Sequence, residues 1–135
     1  MSNLPIFDVA GSAMTAQSVR LSTVASNLAN ADSVAGTPDA VYRAKQPVFS
    51  AEPVASDPSL AGVQVTQVTE STAAPLKRYE PGHPLADAQG YVYAPDVDPV
   101  AQMVDMISAS RSYQANVEVF NTARDLAVAT LGMGK

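Results

Sequence analysis

The stretch DPVAQMVDMISASRSYQANVEVFNTARDLAVATLG, residues 98–132, decides the fold. Asp98 can accept hydrogen bonds from free backbone N–H groups, and Pro99 follows at the position where a helix tolerates it best. From there Val100, Met103, Met106/Ile107, Ser110, Tyr113, Val117, Phe120, Ala123/Arg124, Ala127/Val128 and Leu131 step by three and four, the helical period. Gly132 and Gly134 are read as its end. A helix of about 33 residues is too long to be covered by an ordinary domain of this size, so pairing with another long helix is the physical solution.

A second proline-free run supplies the partner. Residues 6–31 and 100–131 lack proline altogether and hold a single glycine, Gly11, whereas nine of the ten prolines fall between Pro38 and Pro99. In the N-terminal run Phe7, Met14, Leu21 and Leu28 recur every seven residues, with Ala10 and Val24 between them and Gln17 as the one polar interruption. Pro5 suits the first helical position, but Leu4 is a poor N-cap and six Ser or Thr residues weaken the propensity. The fold class is therefore α+β: long N- and C-terminal helices pair as a coiled coil around a small antiparallel β-rich domain. The boundaries are 1–36, 37–98 and 99–135. The seam is read as Phe7, Met14, Leu21, Val24 and Leu28 against Met103, Ile107, Tyr113, Val117, Phe120 and Leu131.

The middle alternates. Residues 63–69 are period-two and β-branched, residues 41–45 and 48–49 read as strand pieces with Pro47 at an edge or bulge, and residues 90–93 form a third short strand. Residues 51–61, rich in Pro, Ala, Ser and Asp, read as a mobile loop, and residues 79–84 as a tight turn.

Composition limits the function. Of 135 residues 47% are apolar, yet 23 of these are Ala and 17 are Val, and Trp is absent. At roughly 25 cal/mol per Å² such side chains give a thin core, so help from a partner or further copies is expected. Residues 1–31 carry only Asp8 and Arg20 as charges. The outer helix faces, read as Ser, Thr, Asn, Gln and Ala, imply burial against neighbouring subunits. The net charge of −5, with Lys77-Arg78 as the longest basic run, argues against nucleic acid and anionic membrane surfaces. No apolar run reaches the length of a membrane helix or a Sec signal. Cysteine is absent, which removes thiolate chemistry and Cys-based metal sites.

Catalytic chemistry is missing too. The one histidine, His83, sits between Gly82 and Pro84 in a turn. Asp96 and Asp98 lack the Gly and Glu of a calcium loop, and neither Glu52 with Asp57 nor Glu70 with Glu80 has a fixed spacing. No glycine-rich phosphate loop occurs. No enzyme activity, cofactor, metal or small-molecule substrate is expected.

The informative segment is Ser26-Asn27-Leu28-Ala29-Asn30-Ala31-Asp32-Ser33. Asn27 and Asn30 can close a helix C-terminus, since Asn tolerates the left-handed conformation and its amide can satisfy free carbonyls. The segment also resembles the Asn-x-Ala-Asn-x-x-Thr motif of flagellar rod, hook and related axial proteins. The segments at 7–17, 42–45, 79–92 and 108–118 resemble the short proximal-rod members of that family. Ser33 replaces the usual Thr, and Gly36 and Tyr42 are separated where hook and distal rod proteins join Gly to Tyr.

The resemblance implies a structural subunit of the proximal rod, with terminal helices around an export channel and the β-rich part outward. It implies further copies of the chain, the rod proteins FlgB, FlgF, FlgG and FliE, and the flagellar export apparatus as partners, and delivery without a cleavable signal peptide. The competing expectation is a β-rich peptide- or glycan-binding module on a helical stalk, with Tyr91 and Tyr93 as a small aromatic platform.

Overall fold

The computed structural model describes residues 5–55 and 57–133. Helix α1 spans Pro5–Ala29 and helix α2 spans Pro99–Met133, about 37 and 52 Å at 1.5 Å per residue. Between them lie a 3-10 turn at Pro38–Ala40 and four strands, β1 (Lys45–Val54), β2 (Asp57–Glu70), β3 (Leu76–Tyr79) and β4 (Tyr91–Ala94). They form two separate antiparallel pairs, β1 with β2 and β3 with β4. The class is α+β.

Helix α2 starts as its sequence dictates. The Asp98 carboxylate accepts from the N–H groups of Val100 (2.9 Å) and Ala101 (3.3 Å), while Pro99 needs no acceptor. The helix continues through Gly132 to Met133, so Gly132 does not end it; Gly134 lies outside the described residues, as does Leu4. The two helices run antiparallel, because Asn27 meets Gln102, Arg20 meets Asp105 and Phe7 meets Phe120.

Residues 51–61 are not a loop. They form the distal part of a long hairpin in which Ala51 pairs with Val63, Glu52 with Gly62 and Val54 with Asp57. Pro47, Pro53 and Pro58 are tolerated because both strands of a two-stranded sheet are edges, where a missing N–H disrupts no ladder. The register shifts between Val48 and Phe49 and between Pro53 and Val54, the irregularities such residues bring. Residues 42–44 precede β1 instead of forming a strand, and β3 at residues 76–79 is an element the sequence pattern did not reveal.

The hairpin lies along α1. Ser12 Oγ accepts from the Val63 N–H at 3.1 Å, and a Cβ on Gly62 would come within 2.8 Å of that oxygen. Gly62 thus permits the strand to touch the helix. Flanked by α2 and the hairpin, α1 buries Ala10, Ala16, Thr23, Val24 and Asn27.

A second small core lies beyond the end of α1. Val41, Val92, Tyr93 and Ala94 are buried, Val92 completely. Ala35 and Tyr93 exchange two backbone hydrogen bonds (2.8 and 2.9 Å), tying the chain after α1 to β4. The 80–90 connection closes on Asp87, whose carboxylate accepts from the N–H groups of Gln89 (2.8 Å) and Tyr91 (2.9 Å) and the Tyr93 hydroxyl (3.2 Å). Those bonds, led by that from Tyr91 and aided by the Lys77 charge, outweigh partial desolvation and hold the carboxyl below its ordinary value. Gly90 has a φ of +83°, and a Cβ there would lie 3.0 Å from the Tyr79 ring.

Candidate functional site

The segment singled out in the sequence converges on one side chain. Asn27 is 2% exposed. Its Nδ2 donates to the Lys45 carbonyl (2.9 Å) and to Gln102 Oε1 (3.0 Å), while its Oδ1 accepts from the Lys45 N–H (2.8 Å) and the Tyr42 hydroxyl (2.9 Å). An amide offers two donor and two acceptor positions, and all four are used. The two bonds to Lys45 imitate one rung of a β-ladder at the first residue of β1. Asn27 therefore joins α1, the hairpin and α2 at one point.

Its neighbours support it. Ser26 Oγ lies 2.9 Å from the Tyr42 hydroxyl, and since that hydroxyl donates to Asn27, Ser26 donates to it. Asn30 Nδ2 turns back to the Ser26 carbonyl (2.8 Å), and the Asn30 carbonyl accepts from Ser33 N (3.1 Å) and Oγ (2.7 Å). Asn30 thus satisfies the helix end, but no non-glycine residue among those described has positive φ. The left-handed cap expected of Asn27 and Asn30 is absent, and Asn27 serves tertiary structure instead. Leu28 is half-buried, whereas Ala29 and Asp32 are exposed.

The seam itself is less apolar than its reading. Phe7 and Phe120 meet edge to face, centroids 4.8 Å apart. Arg20 Nη2 donates to Asp105 at 2.9 Å. Met14, Leu21 and Val117 are half-buried, Val24 is buried, and on α2 only Ala109 is fully enclosed. Tyr113 sits at the margin, 37% exposed.

Three expected seam residues are outside it. Met103 and Ile107 are 51% and 57% exposed, on the face turned away from α1, because Gln102, Asp105 and Ala109 take the inner positions. Leu131 is exposed because α2 extends past the start of the described α1. The outer face of α2 is consequently not the Ser, Thr and Ala surface expected; it carries Val100, Met103, Val104 and Ile107.

Other expected sites dissolve. Tyr93 is buried with its hydroxyl on Asp87, and Tyr91 stacks edge-on with Tyr79 at 5.2 Å, so no open aromatic platform exists on β4. His83 Nδ1 accepts from the Leu85 N–H (3.1 Å) inside the turn. Among the described residues no cluster could hold a metal ion, and no helix is long and apolar enough to cross a membrane.

Comparison with known proteins agrees with this arrangement. A family model for flagella basal body rod proteins matches residues 7–36, the α1 and Asn27 segment, and one for the C-terminal part of flagellar basal body rod FlgEFG proteins matches residues 88–133. The flagellar basal-body rod protein FlgC of Escherichia coli O6:H1 is 56% identical over the full length of both chains. The FlgC of Salmonella typhimurium is 55% identical over the same extent. That of Aquifex aeolicus is 43% identical over 88% of this chain and 87% of its own. The chain belongs to the FlgC family of flagellar basal-body rod proteins. It is a structural protein of the flagellar rod and not an enzyme, and the Asn27 segment and paired helices are where the family resemblance and the geometry coincide.

Proposed function

We propose that the chain is a subunit of the proximal rod, the drive shaft that transmits torque through the basal body, and that it assembles through its terminal helices around the export channel. The observation that carries this reading is the outer face of α2, where Val100, Met103, Val104 and Ile107 are all more than half exposed. A helix leaving its largest aliphatic side chains in water while spending small and polar ones on its own partner is built for a further partner. The proposed seam is the antiparallel pair centred on Phe7, Val24, Val117 and Phe120, supercoiling in the assembled rod.

Within the rod the partners are further copies and the neighbouring rod proteins FlgB, FlgF, FlgG and FliE, delivered by the flagellar export apparatus without a cleaved signal. Units 1–36, 37–98 and 99–135 would divide the labour between helices and the β-rich middle. The binding-module alternative loses its main support with the burial of Tyr93.

The test is an in-frame deletion in the source bacterium followed by electron microscopy of isolated basal bodies. Loss of rods and swimming, both restored by the wild-type chain, is the expected result. Intact rods in the deletion strain would reject the reading.

A further inference from the structure

We infer that the outer face of α2 docks antiparallel against the outer face of α1 of a second copy displaced by about eight residues along the helix axis, an inference that rests on the rod reading above. Val100, Val104, Ile107 and Arg111 form one row, spaced by four, three and four, with Met103 beside it. Val100, Met103, Val104 and Ile107 are 68%, 51%, 62% and 57% exposed. Arg111 ends the row, exposed and with no ion pair among the described residues.

The outer row of α1 has the inverse shape and charge. Asp8, Gly11, Thr15 and Ser18 are spaced by three, four and three and face away from both α2 and the hairpin. A Cβ built on Gly11 would meet nothing within 4 Å. Here α1 and Tyr113 border a shallow groove of about 350 Å³, lined also by Met14 and Val19. Large side chains with a cation at one end thus face small ones with an anion at one end, and neither row carries another charge.

Charge fixes the direction. Antiparallel alignment sets Arg111 opposite Asp8, Ile107 opposite Gly11, Val104 opposite Thr15 and Val100 opposite Ser18. Parallel alignment would instead press Val100 onto the Asp8 carboxylate and leave Arg111 against Ser18, a desolvation cost without compensation. Within one chain Phe7 lies opposite Phe120, so residue 8 falls near residue 119, not 111. The difference of eight residues is a stagger of about 12 Å between neighbouring copies. Two different faces meet, so each copy keeps one of each free and the array extends without closing.

The cysteine-free chain gives a clean test. Two differently tagged chains, one Thr15→Cys and one Val104→Cys, are co-expressed in the deletion strain, and isolated basal bodies are oxidised. The expected product is the mixed disulfide, with like-with-like dimers at least tenfold scarcer. A second pair, Gly11→Cys with Ile107→Cys, repeats the measurement should either first variant fail to assemble. In parallel, a photo-crosslinking residue at position 104 should capture the 8–18 segment of another copy, identified by mass spectrometry. Normal rods with no mixed disulfide in either pair, or capture of a different rod protein at position 104, would overturn the interface while leaving the rod reading standing. Normal rods in the deletion strain itself would remove that reading.

Discussion

Helix α2 has two faces of opposite character. The face toward α1 presents Gln102, Asp105 and Ala109 before it reaches Phe120. The face away from α1 presents Val100, Met103, Val104 and Ile107 to solvent. In a self-sufficient helical hairpin the order would be reversed. The inversion separates two tasks. Polar bonds with strict geometry fix which residues of one chain meet, whereas unspent apolar area is kept for assembly, where burial supplies the free energy.

The largest effect that would break this contrast is on assembly. Ile107→Asp should abolish rod formation in the deletion strain while leaving the circular dichroism of the isolated chain unchanged, because Ile107 contributes little to the subunit's own core. Equal loss of helicity in the isolated chain would place Ile107 inside the subunit after all.

Next comes the internal face. Asn27→Leu leaves the Lys45 N–H and carbonyl, the Tyr42 hydroxyl and Gln102 without their partner, and each buried unsatisfied group costs about 1–3 kcal/mol. A loss of about 3 kcal/mol or more in denaturant unfolding is expected, with faster hydrogen exchange at Lys45. A loss under about 0.5 kcal/mol would show that the amide does not anchor the hairpin.

Gly90→Val should cost about 1–3 kcal/mol, since it forces a β-branched residue to positive φ and into the Tyr79 ring. Its effect should be confined to β3, β4 and the 80–90 connection, readable by NMR of the Val92 methyls, and helix pairing should be retained.

Acid should act on the same region. The folded Asp87 carboxyl is held below its ordinary value by the bonds from Tyr91, Gln89 and Tyr93, and Asp57 likewise by Ser59. A lowered folded pKa contributes stability that is complete above the unfolded value near 3.9 and is lost as pH falls through the folded one. Exchange protection at Tyr91 should therefore fall below pH 4, and Asp87→Ala should remove that dependence. The smallest effect belongs to Arg20→Met, about 0.5 kcal/mol, because the pair with Asp105 is partly exposed and screened by salt.

Much of this fold was legible. Asp98-Pro99 marked the start of α2, and the alternation of 63–69 marked the core of β2, because caps and period-two patterns act locally. The long hairpin was hidden because Pro53 and Pro58 signal loops by composition, and only the two-edged sheet makes them harmless. The inner face of α2 was misjudged because the stripe was traced through the largest apolar residues, which here serve the outside. Asn27 was rightly singled out, yet its bonds span 15, 18 and 75 residues, a range no local pattern reports.

The hairpin is fastened to α1 twice, at its base by Asn27 and farther out by Ser12. These points are 15 residues apart on the helix, about 22 Å. A strip glued at one spot can swing or slide against its backing. Glued at two, it must twist when the backing twists, and the pair behaves as a laminate stiffer than either layer. For a shaft that turns under load, stiffness against torsion is thus built into each subunit before any neighbour is added.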